Sequence, residues 1–388
     1  MTACIVGWSH SRFGKLEGRN LESLLVEVAK GALGDAGLAA ADIDEVVVGT
    51  FNAGMERQEF ISSLAFQADP DFRFTPATRV ENACATGSAA IHLGMKSIAA
   101  KRARFVLVLG VEKMTAVSTA EANASLLKAS YLPETEGEAA GFAGVFGHIA
   151  EKYFQRYGDQ SEALARIAAK NHKNGSVNPL AHLQKDFGYD FCRAISDKNP
   201  LVAGPLKRTD CSPISDGAAA LVLTDVETAL AMKKAVAFRA AVQVNDFLPL
   251  ESRDIVAFEG PAKAWAKALK AARLTLDDLS LVETHDCFTI AELIEYEAMG
   301  LTAPGQGARA LAEGWVEKTG KLPINPSGGL KAKGHPVGAT GVSMHVLAAM
   351  QLTGTAGPIQ VPNADLVGVF NMGGAAVANY VSILSPLH

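Results

Sequence analysis

Four short stretches of this chain carry side chains suited to nucleophilic and acid/base work. In Arg79-Val-Glu-Asn-Ala-Cys-Ala-Thr-Gly-Ser-Ala-Ala, Cys84 sits where an extended segment passes into a small-residue helix, Ala85 to about Ala100. A thiol at a helix N-terminus feels the positive end of the peptide dipoles, which favours thiolate. Free cysteine has a pKa of about 8.5, so a lowered value converts directly into nucleophile. Ala83, Ala85, Gly87, Ser88 and Ala89 leave room for a substrate. A buried cysteine can equally act as a small hydrophobe, so Cys84 needs partners.

Lys331-Ala-Lys-Gly-His-Pro-Val-Gly-Ala-Thr-Gly supplies one: His335 lies in a glycine-lined turn, fixed by Pro336, ahead of an apolar helix, Val342–Gln351. Histidine titrates near operating pH, which suits a general base. Glu283-Thr-His-Asp-Cys-Phe-Thr-Ile places His285 and Cys287 in a strand-to-helix turn, where α/β sheets gather ligand-binding groups. In Phe370-Asn-Met-Gly-Gly-Ala-Ala, Gly373 and Gly374 offer bare backbone N–H groups of the kind an oxyanion hole needs. No further ligands stand at zinc-like spacing around His285 and Cys287, so no metal is expected. The five cysteines (4, 84, 192, 211, 287) are scattered without a Cys-x-x-Cys pair, which fits a reducing compartment without disulfides.

The elements that must position these residues form a pattern. Apolar strands of five to eight residues (Phe105–Leu109, Ala219–Leu223, Leu366–Phe370, Val377–Leu384) alternate with Ala-rich helices, the signature of an α/β architecture. The chain also repeats itself. A shift of 236 puts Ala32-Leu33 on Ala268-Leu269, Ala36 on Ala272, Asp42-Ile43 on Asp278-Leu279 and Val46 on Val282. A second match, with a shift of 157, puts Gly217 on Gly374. The two shifts imply about 80 extra residues in the first copy. Strand/helix alternation lapses around 113–208, so the chain divides into a first half (1–112 and 209–232), an inserted loop subdomain (113–208) and a second half (233–388). Helices Gly147–Tyr157 and Ser161–Asn171 are expected within the insert.

The 388 residues are 48% hydrophobic and 20% charged, with a net charge of −5. No basic block favours nucleic acid, and no apolar run approaches the ~18 residues of a membrane span. Neither a signal nor a transit pattern opens the chain, so the cytoplasm is the expected compartment.

Together the four segments resemble the thiolase family over essentially the whole chain. Asn82-Ala-Cys-Ala-Thr-Gly-Ser is similar to that family's acylated-cysteine block, and Gly334-His-Pro-Val-Gly-Ala-Thr-Gly to its histidine block, preceded by Asn325-Pro-Ser-Gly-Gly. The resemblance implies a five-layer α-β-α-β-α thiolase fold and a homodimer or homotetramer. It implies acyl-CoA and CoA as substrates with no separate cofactor. Two departures stand out. His285-Asp-Cys-Phe replaces the common Asn-Glu-Ala-Phe, and Asn371-Met-Gly373 replaces the Cys-x-Gly turn that usually holds a second catalytic cysteine. Their combination resembles the sterol-carrier-protein-type branch, in which the cysteine of the His-Asp-Cys-Phe block takes over the acid/base role.

The resemblance then implies roles. His335 activates Cys84, the N–H groups of Cys84 and Gly373 hold the oxyanion, His285 and His335 stabilise an enolate, and Cys287 moves the α-proton. Ser212 is assigned to the adenine end of CoA. His148 falls near the acyl path in a structural role. Three alternatives remain: a β-ketoacyl synthase built on Cys84, His285 and His335; a partner-dependent retro-aldolase on a steroid side-chain CoA ester; and a non-catalytic scaffold. Retention of Cys84, His285, Cys287 and His335 ranks the last two below the first. Acyl chain length and reaction direction stay open.

Overall fold

The structure, a computed structural model, describes residues 3–387. Nine strands form its main sheet: β1 (Cys4–His10), β2 (Glu45–Gly49), β3 (Ala77–Val80), β4 (Phe105–Glu112), β5 (Gly217–Thr224), β6 (Val236–Asn245), β7 (Leu281–Glu283), β8 (Val367–Gly373) and β9 (Ala378–Pro386). Their order is β3-β2-β4-β5-β1-β6-β9-β8-β7. In the first half β2 runs parallel to β3 and β4, and the β4–β5 and β5–β1 pairs are antiparallel. The second half mirrors this: β7 runs parallel to β8, and β8–β9 and β9–β6 are antiparallel. A parallel bridge from Val282 to Ile324 fills the place that β3 holds in the first half. The two copies therefore share a topology as well as a sequence pattern.

Three layers of helix sandwich these strands. Helix α1 (Leu21–Ala36) begins with a capping box, in which Asn20 Oδ1 accepts the Ser23 N–H at 2.9 Å and Ser23 Oγ accepts the Asn20 N–H at 3.1 Å. It ends at Gly37 in the left-handed region (φ 69°). Its stripe Leu21, Leu24, Leu25, Val28, Ala29, Ala32, Leu33 packs on the outer face of the first half, with Val6, Val46, Val48, Leu107 and Val222. The alternate residues Ile5, Val47, Val106, Val108 and Leu221 point to the other face. Strands apolar on both faces must be covered on both. The central cover is α2 (Thr86–Ala99) and α8 (Val337–Leu352), and α5 (Glu259–Ala272) covers the far side of the second half against β6 and β9. The shift of 236 carries Ala36, the last residue of α1, onto Ala272, the last of α5.

The expected five layers are present, with two differences. The halves do not carry separate sheets: Cys4 pairs with Ala237 and Ile5 with Val236, joining one continuous sheet. These are the inner edge strands of each half, and pairing their ends satisfies backbone groups that an open edge would expose. The shift of 157 is also offset. Gly217 pairs with Glu112 and Ala378 with Gly373, so Ala378 is the register counterpart of Gly217, not Gly374. The reason is loop length: β8 and β9 are joined through residues 374–377, whereas 113–216 separate β4 from β5. That long connection carries α3 (Phe142–Tyr157), α4 (Ser161–Ser176) and a small ribbon, Leu201–Ala203 with Leu206–Lys207. No described helix is long and apolar enough to cross a membrane.

Helices α2 and α8 meet at their N-termini. A Cβ on Gly87 would fall 2.6 Å from Val342 N, and one on Gly341 would overlap Ser88 N. Gly87, expected to leave room for substrate, thus serves helix approach instead. This contact brings two chemical turns together, because Cys84 and His335 each stand two residues before the first residue of their helix.

Candidate active site

Cys84 sits in a strained turn. Ala83 before it has φ 49°, a left-handed value uncommon for a residue with a side chain. Asn82 C=O accepts the Ala85 N–H at 3.1 Å, and Thr86 Oγ1 accepts the Asn82 N–H at 2.8 Å. Cys84 Sγ and one ring nitrogen from each of His285 and His335 lie within 4.8 Å of one another. All three residues are buried, and the two imidazoles stand edge to face, 5.0 Å between centroids and 89° apart.

Hydrogen bonds assign the protons. Thr340 Oγ1 donates to Pro336 C=O at 3.0 Å, so toward His335 Nδ1, 2.7 Å away, it can only accept. His335 therefore carries its proton on Nδ1 and presents a lone pair at Nε2, which is buried with no protein partner. Burial, and next the Lys333 ammonium, pull its pKa down to about 3. At neutral pH it is a free base. His285 Nδ1 lies 2.9 Å from Asn371 Nδ2, and its Nε2 is likewise buried and unpartnered. Burial, then His335, then Lys333 hold His285 well below the ordinary value, so it too is neutral.

The thiol departs from expectation. Burial pushes the Cys84 pKa up to about 12, against hydrogen bonds from the Gly374 and Cys84 N–H groups that favour thiolate. Buried Glu112 and then Glu81 raise it further. Desolvation between the two halves outweighs the helix-terminal effect. The resting site thus holds a neutral thiol beside a neutral imidazole. The thiolate fraction of such a thiol grows tenfold per pH unit below its pKa. Alkylation of resting Cys84 by iodoacetamide, followed by peptide mapping, is accordingly expected to rise about tenfold per unit between about pH 6 and about pH 9. A plateau starting near neutrality would show a resting thiolate–imidazolium pair and overturn this.

Around these three the remaining expected residues fall as follows. Cys287 is buried beside Cys84 but outside the 4.8 Å trio; burial, then charge on Cys84, hold its thiol well above the ordinary value. Its C=O accepts the Ser212 N–H at 2.9 Å, which ties Ser212 by its backbone to this block. Phe288, at the N-terminus of α6 (Thr289–Ala298), stacks on Phe146 of α3 at 4.6 Å, so the long connection forms one wall. Gly373 lies against the nucleophile turn, where a Cβ would come 2.5 Å from Asn82 O. The N–H that reaches the sulfur from this turn is that of Gly374, one residue on. His148 is exposed on α3, beside a surface hollow with Lys152, Arg156 and Arg253.

Two buried carboxylates that the sequence reading passed over hold the frame. Asp286, between His285 and Cys287, accepts the N–H groups of Leu330 (2.6 Å) and Lys331 (3.1 Å) and the Asn171 amide (2.7 Å). It thereby fixes the short helix α7 (Gly329–Lys333) that leads to His335. Gly329 at φ 59° faces this carboxylate with no room for a Cβ. Glu112, at the end of β4, accepts N–H groups from Phe51, Asn52 and Gly338, each at 2.9 Å, and the Thr50 hydroxyl at 3.2 Å. It pins the start of α8 to the first half. Burial raises both acids to about 7, Asp286 also through nearby Glu292. The available signal for Glu112 was an acidic residue closing an apolar strand.

Cys84, His285 and His335 are also the one group among the described residues whose three donors could share a metal ion. The hydrogen bonds argue against ligation. His285 Nδ1 accepts the Asn371 Nδ2–H, so the ring proton is on Nε2, which offers no lone pair.

Residues 3–187 match a family model described as "Thiolase, N-terminal domain", and residues 243–386 one described as "Thiolase C-terminal domain-like". An acetyl-CoA acetyltransferase of Methanothermobacter thermautotrophicus is 36% identical over 98% of this chain and 98% of its own length. Human sterol carrier protein 2 is 33% identical over 96% of this chain and 70% of its own. A solved structure described as an Ltp2-ChsH2(DUF35) aldolase superposes with a TM-score of 0.81 at 22% identity, covering 99% of this chain and 97% of that one, a likeness of fold.

Proposed function

The chain belongs to the thiolase family, and from that premise we propose that it is an acyltransferase that joins or cleaves CoA thioesters through an acyl group on Cys84. One observation carries the reading: a thiol and two imidazoles converge within 4.8 Å, and each imidazole keeps a buried, unpartnered Nε2, read from the hydrogen bonds as a lone pair on His335 and an N–H on His285. That is the equipment for acyl transfer followed by enolate chemistry.

In the first half-reaction the Cys84 sulfur attacks the thioester carbon while its proton passes to His335 Nε2. The oxyanion is held by the N–H groups of Cys84 and the Gly373-Gly374 turn. One such donor contributes about 2.7–4 kcal/mol in comparable sites. Collapse expels the CoA thiolate, which takes the proton of Cys287 and leaves as CoA-SH. The site is now acylated, with a Cys287 thiolate and a His335 imidazolium. In the second half-reaction Cys287 removes the α-proton of a second acyl-CoA, and the enolate oxygen rests between His335 Nε2–H and His285 Nε2–H. The enolate carbon attacks the acyl group on Cys84, whose sulfur leaves and recovers its proton from His335. Every proton is returned, and the reverse sequence is thiolysis. A raised Cys287 pKa keeps the thiol protonated until the CoA thiolate is expelled and makes the thiolate left after that transfer a stronger base for the α-proton.

Mass spectrometry tests the central step. Incubation with acetyl-CoA should add one acetyl group, mapped to Cys84 and removed by added CoA. A screen of 3-ketoacyl-CoA thiolysis from about four to about sixteen carbons then assigns chain length by rate. A Cys84 that remains unmodified across that series would sink the reading.

A further inference from the structure

Asn371 entered as the residue standing where a second cysteine is missing, yet its amide is fully engaged. It is completely buried in β8. Its Nδ2 lies 3.2 Å from Cys84 C=O and 2.9 Å from His285 Nδ1, and its Oδ1 lies 2.7 Å from Ser88 Oγ. We propose that Asn371 is a positioning residue that locks His285 in the tautomer bearing its proton on Nε2, making His285 a hydrogen-bond donor to the substrate and not a second base. Its kinetic consequences rest on the acyl-transfer reading; its geometry does not.

The argument begins at Cys84 C=O, which has lone pairs and no hydrogen. The amide atom facing it must be the NH2 group, which fixes the amide's orientation. Ser88 Oγ then donates to Oδ1. The remaining amide hydrogen points at His285 Nδ1, which must hold a lone pair to receive it. The ring proton is thereby on Nε2. Flipping the amide would set Oδ1 against a carbonyl and break two bonds at once. Packing also holds it, since a Cβ on Gly341 of α8 would come 2.5 Å from Oδ1. His335 is set in the opposite sense by Thr340. One imidazole therefore offers a lone pair and its neighbour a donor. At the enolate stage His335 Nε2 has gained a proton, and a lone pair on His285 Nε2 would repel the oxygen that His335 holds.

The test is Asn371→Asp, nearly isosteric but able only to accept when ionised. A carboxylate there draws a proton onto His285 Nδ1. NMR of 15N-histidine-labelled protein reads the tautomer, with His285→Gln identifying the signals. The parent should show His285 protonated on Nε2, and Asn371→Asp should show it protonated on Nδ1. Kinetically, acylation of Cys84 should change less than about tenfold. Deuterium exchange at the α-carbon of acetyl-CoA should fall about 10²- to 10⁴-fold; a wrong-tautomer histidine in a Ser-His-Asp triad costs about 10⁴. If Asn371→Asp does not fold, Asn371→Ala is read by the same NMR and should show a mixture of tautomers. A parent His285 protonated on Nδ1, variants that keep the Nε2 proton alone, or equal losses in acylation and exchange would each overturn the assignment. A parent that never acylates would defeat the acyl-transfer reading, while the NMR result still decides the role of Asn371.

Discussion

Cys287→Ala should leave acylation of Cys84 within about tenfold of the parent while lowering condensation of two acetyl-CoA molecules by about 10³-fold or more. The asymmetry follows from what each step asks of a proton carrier. A thiol has a pKa of about 8.5, so CoA is an adequate leaving group without an acid. An α C–H is far less acidic and does not leave without a base close by. In the trio around Cys84, His335 is already protonated at that stage and His285 presents a donor, so neither can substitute. Cys287 is buried near enough to Cys84 that charge on Cys84 raises the Cys287 pKa. Acylation bars Cys84 from ionising, so no thiolate there can oppose ionisation of Cys287 at the step that needs it. Quenched-flow measurement of the acyl-enzyme separates the two half-reactions. Undiminished condensation in the variant would show that Cys287 is not the base. Loss confined to acetyl donors, with malonyl donors still condensed, would instead favour the β-ketoacyl synthase alternative, because decarboxylation makes the enolate without a base.

The fold and the candidate site were unevenly legible in the sequence. Cys84 and His335 could be picked out because each precedes a helix within a run of small residues, and both helices follow from local pattern. The duplication was legible because α1 and α5 keep the same apolar stripe and the same link into a buried strand. What lay beyond the sequence was everything made by meeting across the halves. The Cys84 pKa goes up because α2 and α8 close over it, and a helix terminus read alone points the other way. Asn371 reaches Ser88, 283 residues away, and Glu112 reaches Gly338 across 226. No spacing in the chain announces such pairs. Asp286 is the intermediate case: it stands in a recognised block, yet its work is to cap α7, more than forty residues on.

His335→Ala should cost more than any other histidine substitution, because the same Nε2 serves both half-reactions. As a base it is worth about 10²–10⁴, and as an enolate donor about 10²–10³ more. A combined loss of about 10⁴-fold or greater in kcat/KM, or about 5.4 kcal/mol of transition-state stabilisation, is expected. The pH dependence separates this from a packing defect. In the parent, burial and Lys333 lower the His335 pKa to about 3. Its proton-accepting form then prevails at every pH above that value, so no acid limb from His335 appears near 6.5. Cys84, raised to about 12, contributes little thiolate of its own below about pH 9. Without the imidazole, acylation depends on that thiolate alone, and the residual rate of His335→Ala should climb about tenfold per pH unit while the parent stays flat. A parent profile that halves near pH 6.5, with that limb abolished in the variant, would mean that His335 is charged at rest and that burial does not dominate this site.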